Sequence, residues 1–360
     1  MKQRHLRLLF LLIGLCPFVS IPTLQAQTAT APDVSLLPGP KPPNVPREWQ
    51  QLVGTYGPEK MRVIILERNG RLFWHLANKE TDERELVLNY KDGHFLLPTA
   101  DGKTIQVLAV QNSSGSVAYL NVGDAGNLDR ADAGSDPAHF YHITFSKPLE
   151  QLRTAARSAK PPKEVRPFRK SDLVELAILD PSIHLDIRYA QSDNFLSTPV
   201  YTQARAFMQR PAAEALLRVL QKLRPLGYGL LIHDAYRPWY VTKIFWDATP
   251  PESHIFVADP SKGSKHNRGC AVDLSLYNLS SGQPIEMPGL YDEMSLRSFP
   301  NFPGGTSLQR WHRDLLRRAM ESEGFAVNED EWWHFDYKDW RDYAILNVPF
   351  EDLSSASPRL

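Results

Sequence analysis

Cysteine is scarce. Two in 360 residues cannot supply a disulfide framework or a four-thiolate zinc site, so any metal must be held mainly by histidine and carboxylate. An excess of either charge is also missing. Lysine and arginine number 41, aspartate and glutamate 41, which gives no broad positive field for nucleic acid and no surplus acid of a disordered, solvating chain. The metalloprotease signature of two histidines four apart around a glutamate does not occur, and no internal repeat is visible. What is present is 42% hydrophobic residues, enough to bury more than one core, and two domains are expected.

The N-terminus carries Lys2, Arg4 and Arg7, then an apolar run from Leu8 to Leu15 extending through Phe18 and Ile21, then Leu24-Gln25-Ala26. This order reads as a secretory signal over residues 1–26. A membrane anchor is the alternative, but the run is short for a span of about 20 residues, and Pro17 and Pro22 break it. Cys16 invites a lipoprotein reading, for which Leu15 is too large. Cleavage after Ala26 removes three basic residues and no acids, leaving 38 basic against 41 acidic side chains and Cys270 as the lone cysteine. The expectation is an exported protein, periplasmic or secreted, with no membrane span after cleavage.

Residues 27–46 hold Pro32, Pro38, Pro40, Pro42, Pro43 and Pro46 without hydrophobic periodicity and read as a semi-rigid linker. From 47 to 147 the pattern is one of short apolar runs: Val63 to Leu66, Leu72 to Leu76, Leu86 to Leu88, Phe95 to Leu97, Ile105 to Val110, Val117 to Val122 and Phe140 to Phe145. Asn69-Gly70 and Asp92-Gly93 lie between successive runs and favour two-residue hairpins. A small all-β, barrel-like domain is expected, loosely similar to β-rich accessory domains of secreted hydrolases, with no motif that selects a protein partner. Residues 148–170, with Pro161, Pro162 and Pro167, read as a second linker.

The segment 171–350 differs in character, and 351–360 reads as a tail. Ala212, Leu216, Val219, Leu220 and Leu223 recur at helical spacing after Pro211. Leu230 to Ile232 and Ala271 to Leu276 read as strands, Val241 to Trp246 and Leu308 to Met320 as helices, with Gly324 placed to stop the last. Mixed elements of this kind predict an α+β domain.

Three clusters could carry chemistry. His94, His139 and His142 lie in the β-rich region without carboxylates at ligand spacing and read as structural or exposed. By contrast His266, Asp273 and His334 together would form a two-nitrogen, one-oxygen set, which suits zinc and leaves a fourth position open, as in catalytic sites. Glu331, three residues before His334, is the candidate proton acceptor. On a helix it would lie beside that ligand, but Trp332-Trp333 look more like a strand, on which the two would face opposite ways unless the strand bulges or ends there. Spacing alone leaves that geometry open. In His233-Asp234-Ala235-Tyr236-Arg237-Pro238, directly after an apolar strand, Arg237 either stabilises an oxyanion or pairs structurally with Asp234.

Taken together, these segments resemble the zinc D,D-peptidase superfamily, most closely the D-alanyl-D-alanine dipeptidases of the VanX type. The similarity runs over about residues 172–345. It includes Leu185-Asp186-Ile187-Arg188-Tyr189-Ala190 with Asp193-Asn194-Phe195, Pro199-Val200-Tyr201, the arginine segment, Ser264-x-His266-x6-Asp273, Met287 to Ser295 and Glu331-Trp332-Trp333-His334. The resemblance implies a hedgehog-like fold with a central antiparallel sheet and flanking helices, and one zinc per chain on His266, Asp273 and His334. It further implies Glu331 as general base and later acid, Arg237 on the oxyanion, Asp292 on the substrate's free amino group, and Ser264 and Tyr201 lining the pocket near the substrate carboxylate. Cys270 is expected to pack its strand. Ala235 stands where the family pattern has glycine, Pro288-Gly289-Leu290 vary the loop before Asp292, and residues 1–170 lie outside the dipeptidase domain.

The implied activity is hydrolysis of a small D,D-dipeptide such as D-Ala-D-Ala, in cell-wall peptide turnover or precursor removal. A D,D-carboxypeptidase acting on peptidoglycan stem peptides is the enzymatic alternative, and a catalytically silent cell-wall-binding module the non-enzymatic one. Asp292 bears on the first choice, because a longer peptide carries no ammonium at that point. Glu331 bears on the second, because a binder has no use for a general base.

Overall fold

The computed structural model describes residues 33–353 apart from 80–82, 90–93, 114, 132–141 and 146. The leader, residues 27–32 of the first linker, the Asp92-Gly93 turn, His139 and the end of the tail lie outside the described residues. Among those described, no helix is long and apolar enough to cross a membrane.

The first half begins with helix α1 (Arg47–Leu52) and strand β1 (Gly54–Tyr56). There follow β2 (Val63–Arg68), β3 (Arg71–Leu76), β4 (Glu83–Asn89), β5 (His94–Pro98), β6 (Thr104–Gln111), β7 (Val117–Asn121) and β8 (Asn127–Asp129). The eight strands pair in chain order as an antiparallel meander. Asn69 and Gly70 both adopt positive φ, 52° and 76°, as the hairpin dipeptide requires. The expected barrel is not seen as a closed one among the described residues, whose strand order runs openly from β1 to β8. The sheet's two ends meet at one bridge, Tyr56 with Arg130, supported by the bonds Gly57 N to Asp129 O (2.8 Å) and Ala131 N to Thr55 O (2.8 Å).

The strand expected over Phe140 to Phe145 is not seen among its described residues, 142–145. There Ile143 donates its N–H to Phe195 O at 3.0 Å and is buried in the core of the second half. The segment read as a second linker contains helix α2 (Leu149–Ser158), whose Leu152 and Ala156 are buried in that same core. Apolar residues spaced four apart give this short helix a face to bury, and the lysines and prolines after it masked that face in the sequence.

The second half has a five-stranded sheet in the order β10-β12-β13-β15-β14. Its strands are β10 (His184–Leu185), β12 (Tyr228–Asp234), β13 (Ala271–Asn278), β14 (Phe325–Val327) and β15 (His334–Tyr337). Only β10 and β12 run parallel; the other pairs are antiparallel. A two-stranded sheet pairs β9 (Leu173–Glu175) with β11 (Phe207–Gln209). Helices α3 (Leu176–Leu179), α4 (Arg210–Leu223), α5 (Trp239–Ala248) and α6 (Ser307–Glu321) complete the mixed α/β architecture. The helix starts and stops follow their signals: Pro211 stands in the first turn of α4, Thr306 and Gln309 form a capping box on α6, and Gly324 ends the helix region with φ 86°.

The two halves belong to one compact unit from Pro32 onward, and β2 shows how they join. Val63 and Ile65 enter the core of the meander, while Ile64 and Leu66, on the opposite face, pack with Phe302 of the second half. That is why the run Val63 to Leu66 is apolar without alternation. Glu67, 2% exposed, accepts from Gly70 N (2.6 Å) and from Ser307 N in the first turn of α6 (2.6 Å), and its own N–H donates to Gly305 O (3.1 Å). A carboxylate at a helix N-terminus is favoured by the free N–H groups there. Replacing Phe302 by alanine is expected to destabilise the whole protein by about 3–5 kcal/mol, the usual cost of emptying a buried aromatic site. Urea unfolding of the variant checks this, and a loss below about 1 kcal/mol would show that this cluster does not hold the halves together.

Candidate active site

Three neighbouring strands assemble the site. Asp273 on β13 is paired in register with Asp234 on β12 and with His334 on β15, so the three side chains share one face of the sheet. His266 reaches them from a short turn, His266–Arg268, closed by Gly269 at φ 69°. A side chain at Gly269 would be strained there, and its Cβ would stand 2.5 Å from Leu173. The six residues between His266 and Asp273 are therefore a turn plus the start of a strand.

The ligand atoms of His266, Asp273 and His334 all lie within 4.8 Å of one another. Asp273 Oδ1 is 3.3 Å from His266 Nε2 and 3.0 Å from His334 Nδ1, and those nitrogens are 3.1 Å apart. The far nitrogen of each ring is committed elsewhere. His266 Nδ1 lies 2.6 Å from the Ala235 carbonyl oxygen. His334 Nε2 lies 2.9 Å from Asp336, which Lys265 pairs at 2.8 Å. The facing nitrogens thus present lone pairs to a buried Asp273 Oδ1 that has no hydrogen-bond partner among the described residues. Converging lone pairs without a cation repel, so this donor set fits a metal ion with three protein ligands. The same crowding acts on protons. Burial opposes the charge on His334, yet Asp336 and Asp273 outweigh it and raise its pKa well above that of an ordinary histidine. Burial likewise works against the charge of Asp273, but His266 and His334 hold its carboxyl far below the usual range.

The ambiguity over Glu331 is resolved by where the strand starts. Glu331 to Trp333 form a turn, with His334 N donating to Glu331 O at 3.3 Å, and β15 begins only at His334. Glu331 consequently sits beside the ligand, Oε2 3.6 Å from His334 Nδ1. Burial, with the charges of Asp273 and Asp292, raises its pKa to about 8 against the pull of His334.

A cavity of about 220 Å³ joins these groups to Arg237, Ser264, Asp292 and Tyr189. Arg237 both lines the cavity and pairs with Asp234, its Nε and Nη2 each 2.8 Å from Asp234 Oδ2. The ion pair orients a guanidinium that also faces the cavity. Ser264 lines the cavity and accepts from His266 N at 3.2 Å. Tyr201 does not line it. Its hydroxyl donates to Asp234 Oδ1 at 2.8 Å, behind the arginine, and Tyr189 occupies the cavity wall instead. The Tyr189 hydroxyl donates to Asp292 Oδ2 at 2.8 Å. Asp292 has φ 62°, a backbone region that aspartate tolerates better than most residues. Tyr189, Tyr291 and Asp336 carried no separable signal in the sequence, because an aromatic or acid beside a motif residue is indistinguishable from ordinary packing or surface charge.

Burial raises the pKa of Asp292 to about 7, reinforced by the charge of Asp273 and opposed by the Tyr189 hydrogen bond. Between its ordinary value of 3.8 and about 7, the folded protein keeps a proton that the unfolded chain has released, so stability falls as pH rises through that window. Metal-free Asp292→Asn is therefore expected to be more stable than wild type above pH 7 by about 1–3 kcal/mol, with the gap closing toward pH 4. Urea unfolding in chelator at the two pH values checks this; a gap that does not change with pH would sink it.

The D-ala-D-ala dipeptidase family (peptidase M15) matches residues 169–354. A D-alanyl-D-alanine dipeptidase of Escherichia coli is 34% identical over 180 residues, covering 50% of this chain and 92% of that protein. One from Enterococcus faecium is 35% identical over 187 residues (46% and 93%), and one from Streptomyces coelicolor 33% over 178 residues (44% and 87%). With half of its length matched and a site of three metal-ligand side chains beside a glutamate, the chain belongs to the D-ala-D-ala dipeptidase family of metallopeptidases.

Proposed function

We propose that this protein is a zinc-dependent dipeptidase that hydrolyses D-alanyl-D-alanine and related D,D-dipeptides to free D-amino acids, in cell-wall peptide turnover or precursor removal. The observation that carries the reading is one cavity with Glu331 and the His266–Asp273–His334 set in it and a further acid, Asp292, on its wall. Two nitrogens and one oxygen suit zinc with an open position. One zinc per chain on these three residues would polarise the scissile carbonyl and make water a stronger acid.

The remaining work falls to the chain's own side chains. Glu331, with its raised pKa, takes the proton of the attacking water at Oε2 and returns it to the leaving amine. Arg237, fixed by Asp234, offsets the negative charge that develops on the carbonyl oxygen. Asp292, fixed by Tyr189, pairs with the free ammonium of a dipeptide. Ser264 remains a candidate for contacts near the substrate carboxylate, whereas Tyr201 acts through Asp234. A dication beside Glu331 and Asp292 favours their ionised forms, so bound zinc lowers both from their metal-free values. The leader over residues 1–26 supports export to the periplasm or the medium; N-terminal sequencing of the exported protein tests that placement.

Two measurements test the assignment. Free D-Ala-D-Ala should be cleaved with higher kcat/KM than its N-acylated form or an acylated stem peptide; the reverse preference would establish the carboxypeptidase alternative. Glu331→Gln should retain one zinc per chain while losing about 10²–10⁴-fold in kcat. Retention of both zinc and full rate would refute the general-base role.

A further inference from the structure

The register between β12 and β13 slips between Ile232 and Asp234, which leaves His233 outside the regular ladder. A bulge re-aims the side chain it carries. Here the His233 ring, 4% exposed, stacks on Tyr291 with centroids 4.5 Å apart and planes 16° apart. Its Nδ1 lies 3.4 Å from Asp186 Oδ2, and Asp186 is itself held by Arg188 Nε at 2.7 Å. On its other side Tyr291 meets the edge of Trp333 at 5.6 Å, next to His334. With the ring fixed on both sides, the Tyr291 hydroxyl donates to Asp273 Oδ2 at 3.1 Å.

That bond divides the two oxygens of Asp273. Oδ2 takes the tyrosine, and Oδ1 is left facing His266 and His334. A competitor stands close by, since Arg237 Nη2 is 3.7 Å from the same Oδ2. Without the hydroxyl, the carboxylate can swing toward the guanidinium and away from the two nitrogens. Outer partners that orient ligands in this way change metal affinity without touching the metal.

We infer that Tyr291 is the positioning residue of the metal centre, holding Asp273 Oδ1 toward the two histidines, and that His233, clamped by Asp186, sets the plane of its ring. The inference rests on the zinc reading above. Its test is zinc affinity, measured on the full-length protein by competition with a chromophoric chelator. Tyr291→Phe retains the ring and its stacking, and circular dichroism verifies that it is folded. The expected result is a Kd for zinc raised about 10–100-fold. His233→Leu removes the stack at one remove and should raise Kd in the same direction by a smaller factor. A Tyr291→Phe Kd within about twofold of wild type, beside wild type that binds zinc, would overturn this inference alone. An unchanged Kd in His233→Leu would remove His233 from it. Wild type that binds no zinc would overturn the proposed function and this inference together.

Discussion

The buried carboxylate of Asp273 is the constraint around which the second half of the protein is organised. Strand register gives it Asp234 on one side and His334 on the other, and a turn adds His266. A buried carboxylate with an unpartnered oxygen is costly unless positive charge reaches it. Arg237 supplies it at longer range on Oδ2, while on Oδ1 the facing nitrogens of His266 and His334 frame a place for a cation. A bound dication would complete the same balance. Asp234 then has the purpose that its place three residues before Arg237 suggests. It holds the guanidinium with two 2.8 Å contacts, so that Arg237 neither collapses onto Asp273 nor leaves the cavity.

The acids around the cavity are pushed in opposite directions. Asp273 is held ionised by its histidines, while Glu331 and Asp292 are raised to about 8 and about 7 because burial dominates over their nearest partners. Carboxyls separated in this way can take different parts, one as a permanent ligand and another as a proton carrier. Hydroxyls reach two of these acids, Tyr189 donating to Asp292 and Tyr291 to Asp273, and Trp333 packs its ring against Tyr291.

Much of the second half was legible before the structure. Apolar periodicity located α4, α5, α6, β12 and β13, and the resemblance of the motifs brought together His266, Asp273 and His334, whose ligand atoms lie within 4.8 Å of one another. Glu331 was not settled, since the sequence Glu-Trp-Trp-His has strand composition and the turn that brings Glu331 to His334 depends on where pairing with β13 begins. Tyr201 was misplaced for a related reason. Which of two tyrosines, 189 or 201, faces the cavity is decided by the packing of Asp234 and Asp292, to which each donates. The helix over Leu149–Ser158 and the join at Glu67 and Phe302 were invisible, because their partners lie far along the chain.

The eight-stranded sheet raises a different question from the cleavage chemistry. The family match begins at residue 169, and the 180 residues aligned with the Escherichia coli relative already cover 92% of it, which leaves little length in that protein for a counterpart of residues 47–131. Yet the sheet here is not a pendant module. Glu67 caps the N-terminus of α6, and Ile64, Leu66 and Phe73 enclose Phe302. Between Phe302 and Asp292 the chain is tied back on itself: Arg297 Nε donates to Pro288 O at 2.8 Å and pairs with Glu293, while Trp332 N donates to Ser298 O at 2.8 Å. The loop that carries Asp292 is therefore tied twice on its C-terminal side, at Ser298 by Trp332 beside Glu331 and at Phe302 by the sheet. The sheet thus bears on the loop that carries Asp292, while the strands β12, β13 and β15 that hold Asp234, Asp273 and His334 belong to the second half's own sheet.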